Sequence, residues 1–140
     1  MDPKGDDLLK RIRRIPIVDT LRIRMEEFGD GFCRAVVPHE RRYDGVFESF
    51  HGGLLMTVAD SVACFAIMTR TGPDQPMTTT DMNIRFLAPC LTDVTAVARV
   101  IKVGKTLCPV AIDLFDAQGK HVAVAQVTYM LLDKAPTRSS

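Results

Sequence analysis

One stretch of the chain sets reactive groups where they could act on a substrate: His51-Gly52-Gly53-Leu54-Leu55-Met56-Thr57-Val58-Ala59-Asp60. The two glycines let a ligand approach the backbone closely. If a helix opens beside them, its first-turn amides have no intrahelical acceptor and its dipole adds positive potential. Such an end can hold an anion or a developing oxyanion. Asp60 is the one acid in the apolar run Leu54 to Met68. A carboxylate in apolar surroundings costs free energy unless it is paired or used. The structural reading is a cap or an ion pair, with Arg85 as a partner. The functional reading is a carboxylate poised as a base or a nucleophile.

Spacing constrains the functional reading. Gly53 and Asp60 are seven positions apart, two helical turns on one face and about 10 Å along the axis. One carbonyl cannot lie within ~3 Å of both groups in a single chain. If both act on one substrate, two copies of the helix must run antiparallel across a two-fold axis. An active site here therefore predicts a dimer, each site taking amides from one subunit and Asp60 from the other.

These groups need elements to hold them. Leu54 to Met68 is apolar on nearly every side and too long for a strand, so it predicts a buried helix to about Arg70, stopped at Gly72-Pro73. Ahead of it, Asp6 to Arg14 predicts a short helix that Pro16 ends, with Leu8, Leu9 and Ile12 at helical spacing. Its basic cluster Lys10, Arg11, Arg13 and Arg14 reads as a solvated face in preference to a membrane or phosphate contact. Leu21 to Met25 alternates as a strand, Gly29-Asp30-Gly31 is a turn, and Phe32 to Val37 returns before Pro38. After the helix come strand-like runs over Met77 to Leu87, Val94 to Val103, Leu107 to Phe115 and His121 to Leu132. Short turns between them predict antiparallel neighbours. The class is α+β: one antiparallel sheet wrapped around one long central helix, in a single domain over 1–140 with its core at about 20–133.

Composition narrows the function. The chain has 140 residues, 46% hydrophobic and 25% charged, the balance of a globular domain. Eighteen Lys and Arg nearly cancel 17 Asp and Glu, and Trp is absent, so neither a nucleic-acid footprint nor a base-stacking platform is expected. No charge-free apolar run of ~18 residues argues for a membrane span. The charged start MDPKGDDLLKRIRRIP does not read as a secretory signal. Cys33, Cys64, Cys90 and Cys108 show no CxxC spacing, and the three histidines are scattered, so no metal site is expected and a reduced cytoplasmic setting is the simplest reading. Cys64 reads as core, and no base is placed to activate Cys90 or Cys108.

The HGGxxxxxxD run, the strand Thr79-Thr80-Asp81-Met82-Asn83-Ile84-Arg85-Phe86-Leu87-Ala88-Pro89 and the turn Lys102-Val103-Gly104-Lys105-Thr106 together resemble the hotdog-fold acyl-CoA thioesterases. The nearest branch is the phenylacetate-pathway (PaaI-like) and 4-hydroxybenzoyl-CoA thioesterase group, and the resemblance covers roughly residues 20 to 133. It implies a hotdog fold, and a dimer assembled further into a tetramer as a dimer of dimers. It implies no cofactor beyond the coenzyme A carried by the substrate. By position, the family's polarising backbone amide matches Gly52, with Gly53 beside it, and its acid matches Asp60. A hydroxyl near the attacking water matches Thr79. The coenzyme A moiety would follow the strand with Asp81 and Phe86 and the turn with Lys102, Gly104, Lys105 and Thr106, the two lysines meeting phosphates. Many relatives read NxxGxxHGG, whereas this chain has Gly45 and Glu48 at the Asn and Gly positions. Glu48 then either substitutes for the missing Asn, serves as the main acid, or is a surface residue.

Other assignments stay open at this level. His51 either meets the thioester or fixes the loop ahead of the helix. Thr79 is a functional hydroxyl or only a strand former. Phe47, Phe50, Leu54, Leu55 and Met56 suggest an apolar acyl pocket for aromatic or medium aliphatic groups. The leading expectation is an acyl-CoA thioesterase. The alternative is a non-catalytic acyl-CoA binder or sensor on the same scaffold, which the missing Asn favours and the retained Asp60 disfavours. A hotdog hydratase would need a His/acid pair that the His51-Gly52-Gly53 arrangement does not resemble.

Overall fold

The computed structural model of the chain describes residues 3–138. Its elements run α1 (Pro3–Arg13), α2 (Pro16–Leu21), β1 (Arg24–Gly29), β2 (Phe32–Val37), a 3-10 turn (Arg41–Tyr43), α3 (Gly52–Thr71), β3 (Met77–Phe86), β4 (Val94–Val100), β5 (Leu107–Phe115) and β6 (His121–Leu131). One six-stranded sheet has the order β1-β2-β4-β5-β6-β3, every pairing antiparallel, and curls around α3.

The core follows from alternation. Cys33, Ala35 and Val37 on β2, Val94, Ala96 and Ala98 on β4, and Cys108, Val110, Ile112 and Leu114 on β5 are all buried. They face Leu55, Val58, Ala59, Val62, Ala63, Ala66 and Ile67 of α3, which are buried too. Alanines on both sides let the helix lie close to the sheet. With its single Asp, α3 has the length and apolarity of a membrane-crossing helix. Here it is packed in the domain core on one side. Its other side, including Met56, Thr57, Asp60, Ser61 and Cys64, is only half-buried.

Several boundaries differ from the sequence expectations: α1 begins at Pro3 rather than Asp6, and β1 runs on to Gly29 rather than ending at Met25. Pro16 ends α1 but also begins α2, because proline's fixed φ suits the first helical position. Leu21, Arg22 and Ile23 are therefore not strand: Leu21 closes α2, Arg22 caps it at φ 56, and β1 starts at Arg24. The central helix starts at Gly52 rather than Leu54, with both glycines in its first turn. β4 ends at Val100 rather than Val103.

Chain order also misleads about β3. Its hydrogen-bonded neighbour is β6, and β5 and β6 separate it from β4. β3 is thus an outer strand, with one edge unpaired among the described residues. A bulge between Thr79 and Asp81 opposes Tyr129 and Thr128 and switches the phase of the strand. Met77 and Thr79 are half-buried before it, Met82 and Ile84 after it, while Asp81 is exposed.

Candidate active site

His51 caps α3. Its Nδ1 accepts the Gly53 amide at 2.9 Å, while its carbonyl accepts the amides of Leu54 and Leu55, each at 3.0 Å. Its own amide donates to the Tyr43 carbonyl at 2.8 Å. This corrects the expectation of two available amides: the His51 ring occupies that of Gly53. Only Gly52, at the first helical position, has an amide with no acceptor among the described residues. A Cβ at position 53 would lie 3.1 Å from the His51 ring, so glycine there makes room for the cap. A Cβ at position 52 would lie 3.2 Å from the ring of Phe86, which covers this helix end and is half-exposed.

His51→Ala is expected to lower stability by about 1 kcal/mol, the usual worth of a helix N-cap, measured by urea unfolding. An unchanged midpoint would show that the loop is held by other contacts.

Asp60 lies two turns further along α3, half-buried. The Thr79 hydroxyl donates to its Oδ1 at 2.7 Å. The Tyr129 hydroxyl stands 2.9 Å from the same Oδ1 and 2.8 Å from the Asp60 carbonyl oxygen. Asp60 makes no ion pair among the described residues, so the pairing with Arg85 is not realised; Arg85 is exposed on β3. Tyr129 is the site residue that the sequence reading missed. A signal was present: in His121 to Leu132, Tyr129 shares the inward phase of Ala125 and Val127, and a buried phenol needs a hydrogen-bond partner. Burial first, then the neighbouring Cys64, pushes Tyr129 upward, so it stays a protonated donor. Burial and then Asp60 push the Cys64 thiol up to about 11, which leaves it a thiol rather than a nucleophile.

The remaining candidates are spread out. Glu48 sits exposed at φ 59 in the loop between Asp44 and Phe50 and makes no hydrogen bond or ion pair through its side chain among the described residues. The left-handed φ suits the glycine that relatives place there, and a glutamate costs on the order of 1 kcal/mol. Gly45 supplies only backbone, its amide donating to Ser49 at 2.8 Å. Of the expected acyl-pocket residues, Phe50 and Leu55 are core, Phe47 is 90% exposed, and Leu54 and Met56 are half-buried beside the open face of α3. Asp81 points outward from the bulge. Lys102 and Lys105 are exposed, and Gly104 is required in their turn because a Cβ would meet the Leu107 carbonyl at 2.6 Å. That turn adjoins the start of β3: Leu131, paired with Met77, donates to the Thr106 carbonyl. Lys105 and Thr106 line an open groove of about 680 Å³ with Thr71, Gln75 and Leu132. Gly52 lies against Phe86, at the other end of β3. One chain therefore holds the lysine turn and the free amide about 30 Å apart along the strand.

The sequence pattern of the thioesterase superfamily matches residues 47–123, more than half of the chain. Human acyl-coenzyme A thioesterase 13 is 32% identical over 91 residues, covering 59% of this chain. The match spans 64% of that relative's length. The PaaI protein from the phenylacetic acid degradation operon of Escherichia coli superposes with a TM-score of 0.85 over 96% of each chain at 20% identity, a likeness of fold. A mutant thioesterase from Pseudomonas aeruginosa, 28% identical, gives 0.81 over 94% of this chain and 96% of its own.

Proposed function

The chain belongs to the thioesterase superfamily, with its hotdog arrangement of sheet and central helix, and from that premise we propose that it hydrolyses acyl-CoA thioesters in a site shared by two copies. The observation that carries the reading is the pairing of an acceptor-free Gly52 amide at the head of α3 with a hydroxyl-bound carboxylate two turns below it. In this reading the Gly52 amide and the helix dipole polarise the thioester carbonyl. Asp60 of the second copy takes a proton from water as the water oxygen bonds to the carbonyl carbon. The tetrahedral oxyanion collapses, the C–S bond breaks, and the proton on Asp60 passes to the leaving sulfur. The variant route, direct attack by Asp60 to give an anhydride, uses the same groups.

The outer strand supports the sharing. β3 is ten residues long, with one backbone edge unpaired among the described residues and Thr78, Thr80, Asp81 and Asn83 exposed along it. An unpaired edge of that length is a template for another strand. Exposed Phe86, Leu87 and Leu91 supply apolar surface near one end of it. Antiparallel pairing of β3 with its own copy, Thr79 facing Phe86, would bring each Thr79–Asp60 pair opposite the other copy's Gly52. The same two-fold would carry each Lys102–Thr106 turn to the other copy's helix head, giving the coenzyme phosphates cationic partners. A dimer of dimers would build on this unit.

The first test is thiol release from phenylacetyl-, hydroxybenzoyl-, short, medium and long-chain acyl-CoAs. We expect turnover of aromatic or medium acyl groups above long chains, since Leu54 and Met56 are the only expected acyl-pocket residues left half-buried beside the open face of α3. Binding of these thioesters without turnover would establish the sensor reading, which the glycine at position 45 favours.

A further inference from the structure

Two hydroxyls meet one oxygen of Asp60. Thr79 and Tyr129 both reach Oδ1, at 2.7 and 2.9 Å, and no group among the described residues reaches Oδ2. No buried side-chain oxygen of the described residues lacks a partner, so Oδ2 is open to solvent. Tyr129 is 7% exposed and comes from β6, whereas Thr79 comes from β3. Two adjacent strands thus clamp one oxygen of a helix-borne carboxylate, and the Tyr129 hydroxyl also touches the helix backbone at the Asp60 carbonyl, at 2.8 Å. A carboxylate held this way keeps one rotamer, with its second oxygen turned to the open face of α3.

We propose that Tyr129 is a positioning residue of the hydrolysis: with Thr79 it pins Oδ1 of Asp60, and Oδ2 is the oxygen that meets water or the thioester. This rests on the hydrolase reading above. It also changes the role of Thr79, whose proton is committed to Asp60, so that it acts through the carboxylate rather than by donating to the attacking water. The orientation matters because a carboxylate free to rotate loses much of the advantage of being placed in advance.

The test is Tyr129→Phe, which removes one oxygen and keeps the ring, alone and combined with Asp60→Asn. The expected result is a fall in kcat of about tenfold with KM within about twofold, and no further loss when Asp60→Asn is already present. A packing role would instead lower activity in both backgrounds. Full kcat in Tyr129→Phe, or an equal loss on top of Asp60→Asn, overturns the assignment while the hydrolase reading stands. If the phenylalanine chain does not fold, the clamp is read at Thr79: Thr79→Ser should hold kcat within about twofold and Thr79→Val should lose about tenfold. Full kcat in Thr79→Val overturns the clamp. A wild-type chain that turns over no acyl-CoA overturns the hydrolase reading and this assignment together.

Discussion

Asp60→Asn is expected to cut thiol release from the best acyl-CoA substrate by about 100-fold or more while the protein stays folded. Asparagine has nearly the same shape, and its carbonyl oxygen can still accept the Thr79 and Tyr129 hydroxyls now on Oδ1. The amide nitrogen would replace Oδ2, and it can neither take a proton from water nor attack a thioester. The loss should therefore fall on kcat whether Asp60 is base or nucleophile. The thermal midpoint should move little, since the carboxylate has no ion pair to lose among the described residues. Thiol release and thermal unfolding on the same preparations check both halves. Turnover that survives the change would shift the chemistry to another acid. Glu48 is the one the sequence nominates, although its exposed, left-handed position leaves it without a partner among the described residues.

How far the sequence reaches can be seen residue by residue. The long helix and its glycine head were legible because an apolar run of that length fits no strand, and because glycines beside a histidine need a backbone reason. Asp60 stood out because a lone acid in such a run is costly. The commitment of the Gly53 amide was not legible: it depends on the His51 ring folding back over the first turn, a side-chain geometry that spacing does not specify. Tyr129 was missed because its partner is 69 positions away, and strand alternation gives the face of a residue but not what lies opposite. The position of β3 beyond β6 was hidden for the same reason, since local turns report only neighbouring pairings. The bulge beside Thr79 matters most here. Without that switch of phase, Thr79 and Phe86 could not both turn toward α3, because seven positions is an odd spacing on a strand.

The strongest test of the shared site uses two inactive chains. Gly52→Pro should abolish polarisation of the carbonyl, because proline has no N–H to give. It should do so without breaking α3: Gly52 is the first helical residue, where proline is well tolerated, and His51 at φ -57 and ψ 129 already has the extended backbone that a following proline requires. Its ring must displace Phe86, which is half-exposed and free to give. The expected loss is about 100- to 1000-fold, as for removal of one oxyanion donor. Asp60→Asn alone should be comparably poor. Unfolded together and refolded at equal amounts, the two chains should give half mixed dimers. Each mixed dimer has one site with Gly52 from the Asp60→Asn chain and Asp60 from the Gly52→Pro chain, and one site with neither. Activity should return to about one quarter of wild type per subunit, far above either parent. If the amide and the carboxylate of one chain served the same substrate, no mixture would contain an intact site and activity would stay at the parental level. The helix makes the shared outcome the expected one: about 12 Å of axial rise separates the two groups, and the hydroxyls that hold Asp60 come from β3 and β6 of its own chain, so the carboxylate cannot swing toward its own Gly52.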